Sequence, residues 1–376
     1  MKLLRKLSSE DLAGKRVLLR LDLNVSIANG VIVDDYRIKR SLPTLQFLKD
    51  VGAKTVIVSH IESEGMRSLE VVHAHLTKLF PMIFVKEYFT EVSTKMLAGL
   101  QNGTFALMEN VRNNPGEKEN DSEFAEKLAT LGDIYVNDAF AVSHRAHASV
   151  VGVTEFLPSY AGLLFEDEVK NLSEVEHPGH PFVFILGGAK FETKLPLVEK
   201  FMGRVNTLFL AGALANNIFI RHGFNIGLSS FSKKEMDLDG IIGHPNIIIP
   251  EDVIVENAGM SSVKRPYALS DSDCIMDAGP DSLNELSKVI AKAKFILWNG
   301  PLGLYEKGYK EGTYAVARMI AESPAQSVVG GGDTLAALHE LGIEDKFTFV
   351  STGGGAMLDF LAKGTLPGIE ALNKNI

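Results

Sequence analysis

The chain has 376 residues, enough for two domains with a core each, and its 45% hydrophobic and 23% charged content is ordinary for a globular protein. A formal net charge of −9 argues against nucleic acid or an anionic membrane as the main partner, while leaving room for a local basic pocket that takes a small anion. The single cysteine, Cys274, excludes an internal disulfide and a cysteine-ligated metal cluster. The polar start Met1-Lys2-Leu3-Leu4-Arg5-Lys6-Leu7 does not read as a signal peptide, and no apolar run approaches the ~20 residues that cross a bilayer, so the expected setting is cytoplasmic. Nothing in the sequence demands more than a monomer.

Strand-like runs at 16–21, 55–59, 83–86, 104–108 and 134–136 alternate with helical patterns such as Ile38, Leu42, Leu45 and Leu48. Asn120-Asp121-Ser122-Glu123 reads as a capping box opening a helix through Leu128. This alternation predicts a parallel sheet wrapped by helices. A charged helix over 166–176 then runs into His177-Pro178-Gly179-His180-Pro181, where a domain boundary is expected. The rhythm resumes with strands at 182–186, 207–210, 247–249, 295–298, 327–329 and 347–350. Several end in glycines: Gly187-Gly188, Ala211-Gly212, Gly300, Gly330 to Gly332 and Gly353 to Gly355. Ligands of open α/β sheets sit at the carboxyl ends of strands, so these turns predict a backbone-lined cleft for a molecule with several phosphates.

The most telling turn is Gly330-Gly331-Gly332-Asp333-Thr334, between a β-branched strand and an amphipathic run. A helix opening there aims unpaired N–H groups and the positive end of its dipole at one point, which suits phosphate. Asp333 beside that seat can hold Mg²⁺ or a water of its shell. Lys190 and Lys194 lie one turn apart after Gly187-Gly188, although the spacing is not that of a Walker sequence. In the first half Asp22, Asn24, Arg37, His60, Arg112, His144, Arg145 and His147 each follow an apolar strand and should gather on one rim, a pocket for a small phosphorylated acid. His144 and His147 also have the i, i+3 spacing of metal ligands, but no third ligand or cysteine accompanies them.

These residues resemble the phosphoglycerate kinase family, nearly end to end and in order. The similarity is carried by Leu21-Asp22-Leu23-Asn24-Val25, Asp34-Asp35-Tyr36-Arg37-Ile38, Ser59-His60, and Glu109-Asn110-Val111-Arg112 with Pro115-Gly116-Glu117. It continues in Val136-Asn137-Asp138-Ala139-Phe140, His144-Arg145-Ala146-His147-Ala148-Ser149, Gly187-Gly188-Ala189-Lys190, Trp298-Asn299-Gly300-Pro301-Leu302-Gly303, Gly330 to Thr334, and Ser351-Thr352-Gly353-Gly354-Gly355. The resemblance implies an α/β fold of two Rossmann-like, three-layer α/β/α lobes with parallel sheets, joined by a helix and hinge. Residues 1–165, with 364–376 returning to them, would bind 3-phosphoglycerate or 1,3-bisphosphoglycerate. Residues 166–180 would be the linker, and 181–363 would bind ATP or ADP with Mg²⁺. By resemblance, Asp22, Asn24, Arg37, His60, Arg112 and Arg145 contact the substrate. Arg37 and Lys190 flank the transferring phosphoryl, with the backbone of Gly331, Gly332, Gly354 and Gly355 completing its cradle. Lys190, Lys194, Gly212, Asn299, Pro301, Glu306, Gly330, Asp333 and Thr334 serve the nucleotide, and Asp333 the metal.

Four departures stand out. Relatives continue Ser-His with Leu-Gly-Arg-Pro, whereas Ile61-Glu62-Ser63-Glu64 follows here, so the arginine that grips the substrate phosphate is missing and Arg67 is the expected replacement. Ala211-Gly212-Ala213 replaces a glycine run packed on adenine, Thr193 stands at a position commonly aspartate, and Ser26 takes the place of a proline. Competing readings are a catalytically weak relative that only binds nucleotide or phosphoglycerate, and a two-lobed binding protein without chemistry. Oxidoreductase chemistry is disfavoured, because no G-x-G-x-x-G opens the first βα unit.

Overall fold

The structure, a computed structural model, describes every residue except Ser63, Glu64, Met66, Lys190, Glu235, Met236, Asn375 and Ile376, and the side chains of Phe191 and Glu192. The chain divides into two compact units, Met1–Lys170 with Lys363–Ile376, and Asn171–Ala362.

The first unit is built on β1 (Arg16–Arg20), β4 (Lys54–Val58), β5 (Met82–Val85), β6 (Phe105–Met108), β7 (Ile134–Asn137) and β8 (Ser159–Ala161), with a two-residue hairpin of β2 (Ile27–Ala28) and β3 (Val31–Ile32). The six longer-range strands form one parallel sheet in the order β5-β6-β4-β1-β7-β8. Their apolar runs, such as Val17-Leu18-Leu19 and Val56-Ile57-Val58, are buried throughout, as a parallel sheet covered on both faces requires. The helices of this unit are α1 (Ser9–Leu12), α2 (Tyr36–Asp50), α3 (Glu70–Leu76), α4 (Glu91–Ala98), α5 (Ser122–Ala129) and the C-terminal α13 (Pro367–Lys374). Gly368 donates its N–H to the Ser143 carbonyl at 2.9 Å, which ties the last helix to this unit. Register places Arg20 level with both Val58 and Asn137, so the chain leaves β1, β4 and β7 at one edge.

The chain passes from the first unit to the second within α6 (Leu163–Ser173). In the second unit β9 (Phe182–Leu186), β10 (Thr207–Leu210), β11 (Ile247–Ile248), β15 (Phe295–Asn299), β16 (Gln326–Gly330) and β17 (Phe349–Val350) form a parallel sheet ordered β11-β10-β9-β15-β16-β17. Numbered within their own sheet these strands run 3-2-1-4-5-6, the doubly wound order whose direction reverses between β9 and β15. Its helices are α7 (Phe191–Phe201), α8 (Ala213–Arg221), α9 (Pro280–Ile290), α10 (Glu311–Glu322), α11 (Gly332–Leu341) and α12 (Gly355–Lys363).

Two local expectations need correction. The cap of α5 is Asp121, whose side chain accepts the Phe124 N–H at 2.7 Å, and not a box beginning at Asn120. Asn120 instead has φ 54° and takes the Gly152 N–H at 3.0 Å, so its side chain is engaged elsewhere. The second correction is an antiparallel sheet that the periodicity did not announce, β12 (Val253–Asn257), β13 (Met260–Lys264) and β14 (Cys274–Ala278), ordered β13-β12-β14. Its hairpin turns through Ala258 and Gly259, both with positive φ, as a two-residue turn matched to strand twist requires.

Asp138 fixes the start of α6. Its Oδ1 accepts the Phe165 N–H at 3.0 Å, and an added Cβ at Gly162 would overlap the carboxyl group. Full burial pushes the Asp138 carboxyl up to about 7, against hydrogen bonds from Thr44 and the backbone that pull it down. The folded chain thus keeps a proton that the unfolded chain releases near pH ~4. This contribution to stability is present below that pH and is lost as pH rises through 7. Urea unfolding of the intact chain is expected to show stability declining between about pH 5 and about pH 8, and Asp138→Asn to remove that component of the slope; identical slopes in both proteins would contradict it.

Candidate active site

On the rim of the first sheet, the turn after β1 carries Asp22 and Asn24, and the second residue of α2 is Arg37. Arg37 Nη1 donates to Asp22 Oδ2 at 2.6 Å and to the Asn24 carbonyl at 3.4 Å. His60, past the end of β4, is 2% exposed. Arg20 Nη2 lies 3.4 Å from His60 Nδ1, and since a guanidinium only donates, Nδ1 is the acceptor and the ring proton sits on Nε2. Burial, and then the charges of Arg20, Arg112, Arg37 and Arg145, hold His60 well below the usual imidazole range. His147 is brought down to about 4 by burial and by Arg112, Arg20, Arg145 and Lys118. Both rings are therefore neutral near pH 7, and the positive field they report belongs to the arginines.

Arg112 follows β6 with a buried side chain whose Nε and Nη2 have no partner among the described residues. Its Nη1 donates to Glu62 Oε2 at 2.6 Å, and Lys118 Nζ donates to Glu62 Oε1 at 2.9 Å. Beneath the rim lies a buried relay: Arg20 Nε donates to Ser149 Oγ at 2.8 Å, which donates to Glu117 Oε1 at 2.7 Å. The Ser149 N–H also reaches Glu117 Oε2, at 2.9 Å.

The second unit gathers glycine turns at the reversal of its strand order. Gly188 and Gly300 have φ 94° and 90°, Gly212 has φ 62°, and Gly331 has φ 109° ahead of α11. A Cβ on Gly212 would stand 3.0 Å from the Gly188 N and O, and one on Gly300 would overlap the Gly187 carbonyl, so these backbones approach too closely for side chains. Lys194, 7% exposed, donates from Nζ to the Gly187 carbonyl. Burial lowers its ammonium to about 8, opposed by the Asp333 carboxylate. Beside these turns opens a cavity of about 240 Å³, apolar along Ala213, Phe219, Val253 and Ile275 and acidic at Glu306 and Asp333. A narrow apolar slot with a backbone-lined phosphate seat at one end has the chemistry to hold a nucleotide.

A phosphoglycerate kinase family model matches residues 7–364. The chain belongs to the phosphoglycerate kinase family. It is 42% identical over 388 residues to a phosphoglycerate kinase of the Wolbachia of Drosophila simulans, covering 97% of this chain and 98% of that one. A Dictyoglomus turgidum phosphoglycerate kinase is 39% identical, covering 97% of each chain. Among solved structures, the Coxiella burnetii phosphoglycerate kinase superposes with a TM-score of 0.82 at 36% identity, covering 99% of this chain and 98% of that one. The Pyrococcus horikoshii enzyme gives 0.88 at 31%, covering 100% and 99%.

Of the residues expected to bind phosphoglycerate in this family member, Asp22, Asn24, Arg37 and His60 are joined by direct contacts, or by one through Arg20. Arg112 and Arg145 both act electrostatically on His60 and His147. Arg67 is exposed, and the bonds at that residue go to its carbonyl, from Asn110 Nδ2 at 3.1 Å and Asn113 Nδ2 at 3.4 Å. On the nucleotide side Lys190 lies outside the described residues, so the clamp of two lysines is represented by Lys194 alone. Thr334 is fully buried and its hydroxyl accepts the Gly300 N–H at 3.0 Å, linking the turns after β15 and β16. Asn299 ends β15 with its carbonyl taking the Gly187 N–H at 3.0 Å, and Pro301 borders the cavity with Gly212. Gly330 ends β16, Gly331 and Gly332 open α11, Gly354 has φ 51°, and Gly355 starts α12. Sequence reasoning missed Arg20, Glu62 and Lys118 as site residues. An arginine at the end of an otherwise apolar strand was the available signal for the first.

Gly300→Ala is expected to cost roughly 1–3 kcal/mol of stability, because the residue combines a left-handed φ with backbone contact. Gly203→Ala, where nothing lies within 4 Å of an added Cβ, is the control. Equal urea midpoints for the two variants would refute the packing argument.

Proposed function

We infer that the chain is a phosphoglycerate kinase, catalysing reversible phosphoryl transfer between ATP and the carboxylate of 3-phosphoglycerate, the step that interconverts 1,3-bisphosphoglycerate plus ADP with 3-phosphoglycerate plus ATP in glycolysis and gluconeogenesis. The observation that carries the substrate side is Arg112, a buried guanidinium with two unpartnered donors among the described residues, in surroundings where burial first and the charges of several arginines second keep two histidines neutral. Such a pocket inside a chain of net charge −9 is suited to a small multivalent anion. Residues 1–165, with 364–376, form the phosphoglycerate lobe, 166–180 the connection, and 181–363 the nucleotide lobe.

The acceptor is already a carboxylate, so no general base is required, and the neutral imidazole of His60 serves as a hydrogen-bonding group. Catalysis then consists of positioning and of neutralising the charge that spreads over the moving phosphoryl. Arg37, Lys190 and the backbone donors of Gly331, Gly332, Gly354 and Gly355 supply that neutralisation. Lys194, Thr334, Asn299, Pro301, Glu306, Gly212 and Gly330 shape the nucleotide site. Mg²⁺ bound with the nucleotide offsets phosphate charge, and Asp333 fits the role of its protein ligand. Asp333 is a single carboxylate at the start of α11, pushed up by desolvation and by Glu306 and pulled down by Lys194. One hard oxygen beside phosphates is the usual protein share of a Mg²⁺ site. Arg67, its backbone pinned by Asn110 and Asn113 beside the turn that bears Arg112, takes the place of the missing phosphate-gripping arginine.

A coupled assay of ATP-dependent turnover of 3-phosphoglycerate tests the assignment, and absence of turnover with both ligands bound would leave a binding protein. No observation favours that reading. Arg37→Ala is expected to lower kcat roughly 100- to 1000-fold, the usual cost of one transition-state donor, with the fold intact by circular dichroism. Arg67→Ala is expected to raise KM for 3-phosphoglycerate ~10- to 100-fold, the worth of one charged hydrogen bond, while KM for MgATP stays put. An unchanged KM for 3-phosphoglycerate would remove Arg67 from the site.

A further inference from the structure

Glu62 holds a place that nothing above assigns to a carboxylate. It stands two residues past His60, half-exposed, with its N–H donating to Asn24 Oδ1 at 2.8 Å. Its two carboxylate oxygens are divided between two cations, Oε2 on the buried Arg112 at 2.6 Å and Oε1 on Lys118 at 2.9 Å. Both donors come from the segment Arg112 to Lys118, and Lys118 bears on His147 as Arg112 does. The carboxylate thus sits as an anion bridging a buried arginine and a half-exposed lysine on the substrate rim, the arrangement a phosphate oxygen pair would adopt. The ion pair is lopsided: Arg112 keeps 4% of its side chain exposed and Glu62 46%, so one partner is fixed and the other can swing into water. Breaking it leaves Glu62 solvated, whereas Arg112 needs a new anion.

We propose that Glu62 is an internal competitor for the substrate phosphate, a specificity-determining residue that occupies Arg112 and Lys118 in the empty enzyme and must leave before phosphoglycerate seats. The proposal rests on the phosphoglycerate kinase reading and on Arg112 as part of its phosphate seat. It follows that this chain binds 3-phosphoglycerate more weakly than its arginines alone would dictate, and that removing the carboxylate tightens binding. The same displacement governs any small phosphate-like anion at this seat.

The test is steady-state kinetics on the intact enzyme with Glu62→Gln and Glu62→Gly, alongside Arg112→Ala. KM for 3-phosphoglycerate should fall roughly tenfold or more in both Glu62 variants, KM for MgATP should not move, and inorganic phosphate should become a tighter competitive inhibitor by a similar factor. Arg112→Ala should raise KM for 3-phosphoglycerate. A raised KM in that variant with no fall in the Glu62 variants overturns the competitor and leaves the site assignment standing. A rise in KM in the Glu62 variants also overturns it, making Glu62 a support that orients Arg112. If Arg112→Ala leaves KM unchanged, the phosphate seat is elsewhere and the proposal falls with it.

Discussion

The first unit depends on a guanidinium with no route to water. Arg20 is fully buried at the end of β1, where an unpaired charge would cost several kcal/mol. Among the groups that make it tolerable are the Leu21 carbonyl, Ser149 Oγ, and through that hydroxyl the buried carboxylate of Glu117. These partners come from the end of β1, the loop after β7 and the turn after β6, so the relay ties together the loops that carry the site. It also sets the site's electrostatics, since Arg20 is the first charge to act on His60. Structural and functional charge are here the same charge, and together with burial, the larger cause, it leaves the rim with neutral histidines among its arginines.

The second unit solves the complementary problem with backbone. Where the strand order reverses, Gly188, Gly212, Gly300 and Gly331 take φ values that side chains resist, and their peptide groups pack against one another. The hydroxyl of Thr334 on the Gly300 N–H fastens the first turn of α11 to β15. Lys194 is inserted into the same knot, and its burial lowers its affinity for a proton. A lysine in that state gains from any phosphate brought near it, because the ligand restores the environment its charge lacks.

Most of this was legible in residues. Buried parallel strands reveal themselves as continuous apolar runs, and glycines at their carboxyl ends mark the close approaches. What escaped detection lacked either signal. The strand Ser159–Ala161 has three residues, too few for a period to register. Of the antiparallel β12, β13 and β14, β13 is mostly exposed, and the hairpin that joins it to β12 uses Ala258 where an Asn or Asp would have announced the turn. Asn120 carries a cap residue's identity, but a long-range bond to Gly152 claims its side chain, a choice that only tertiary structure can make. The relay through Ser149 joins residues 129 and 32 positions apart, and no spacing rule covers it.

One departure of this chain from its family, the segment that follows His60, changes the charge of the substrate rim. Without the arginine after His60 this stretch of sequence loses a cation, and with Glu62 and Glu64 it gains two anions, a swing of three charges against a phosphorylated substrate. Had the histidines titrated in the neutral range, protonation could have compensated. It does not, because burial and the neighbouring arginines hold His60 and His147 neutral. The positive potential that remains comes from permanent guanidinium charges, which do not respond to pH or to ligand. The adjustable element is thus the mobile partner of an ion pair: a half-exposed carboxylate on a buried arginine can be exchanged for another anion without remaking the fold. A rim assembled this way keeps Arg112 paired through one of its nitrogens and yields it when a stronger anion arrives.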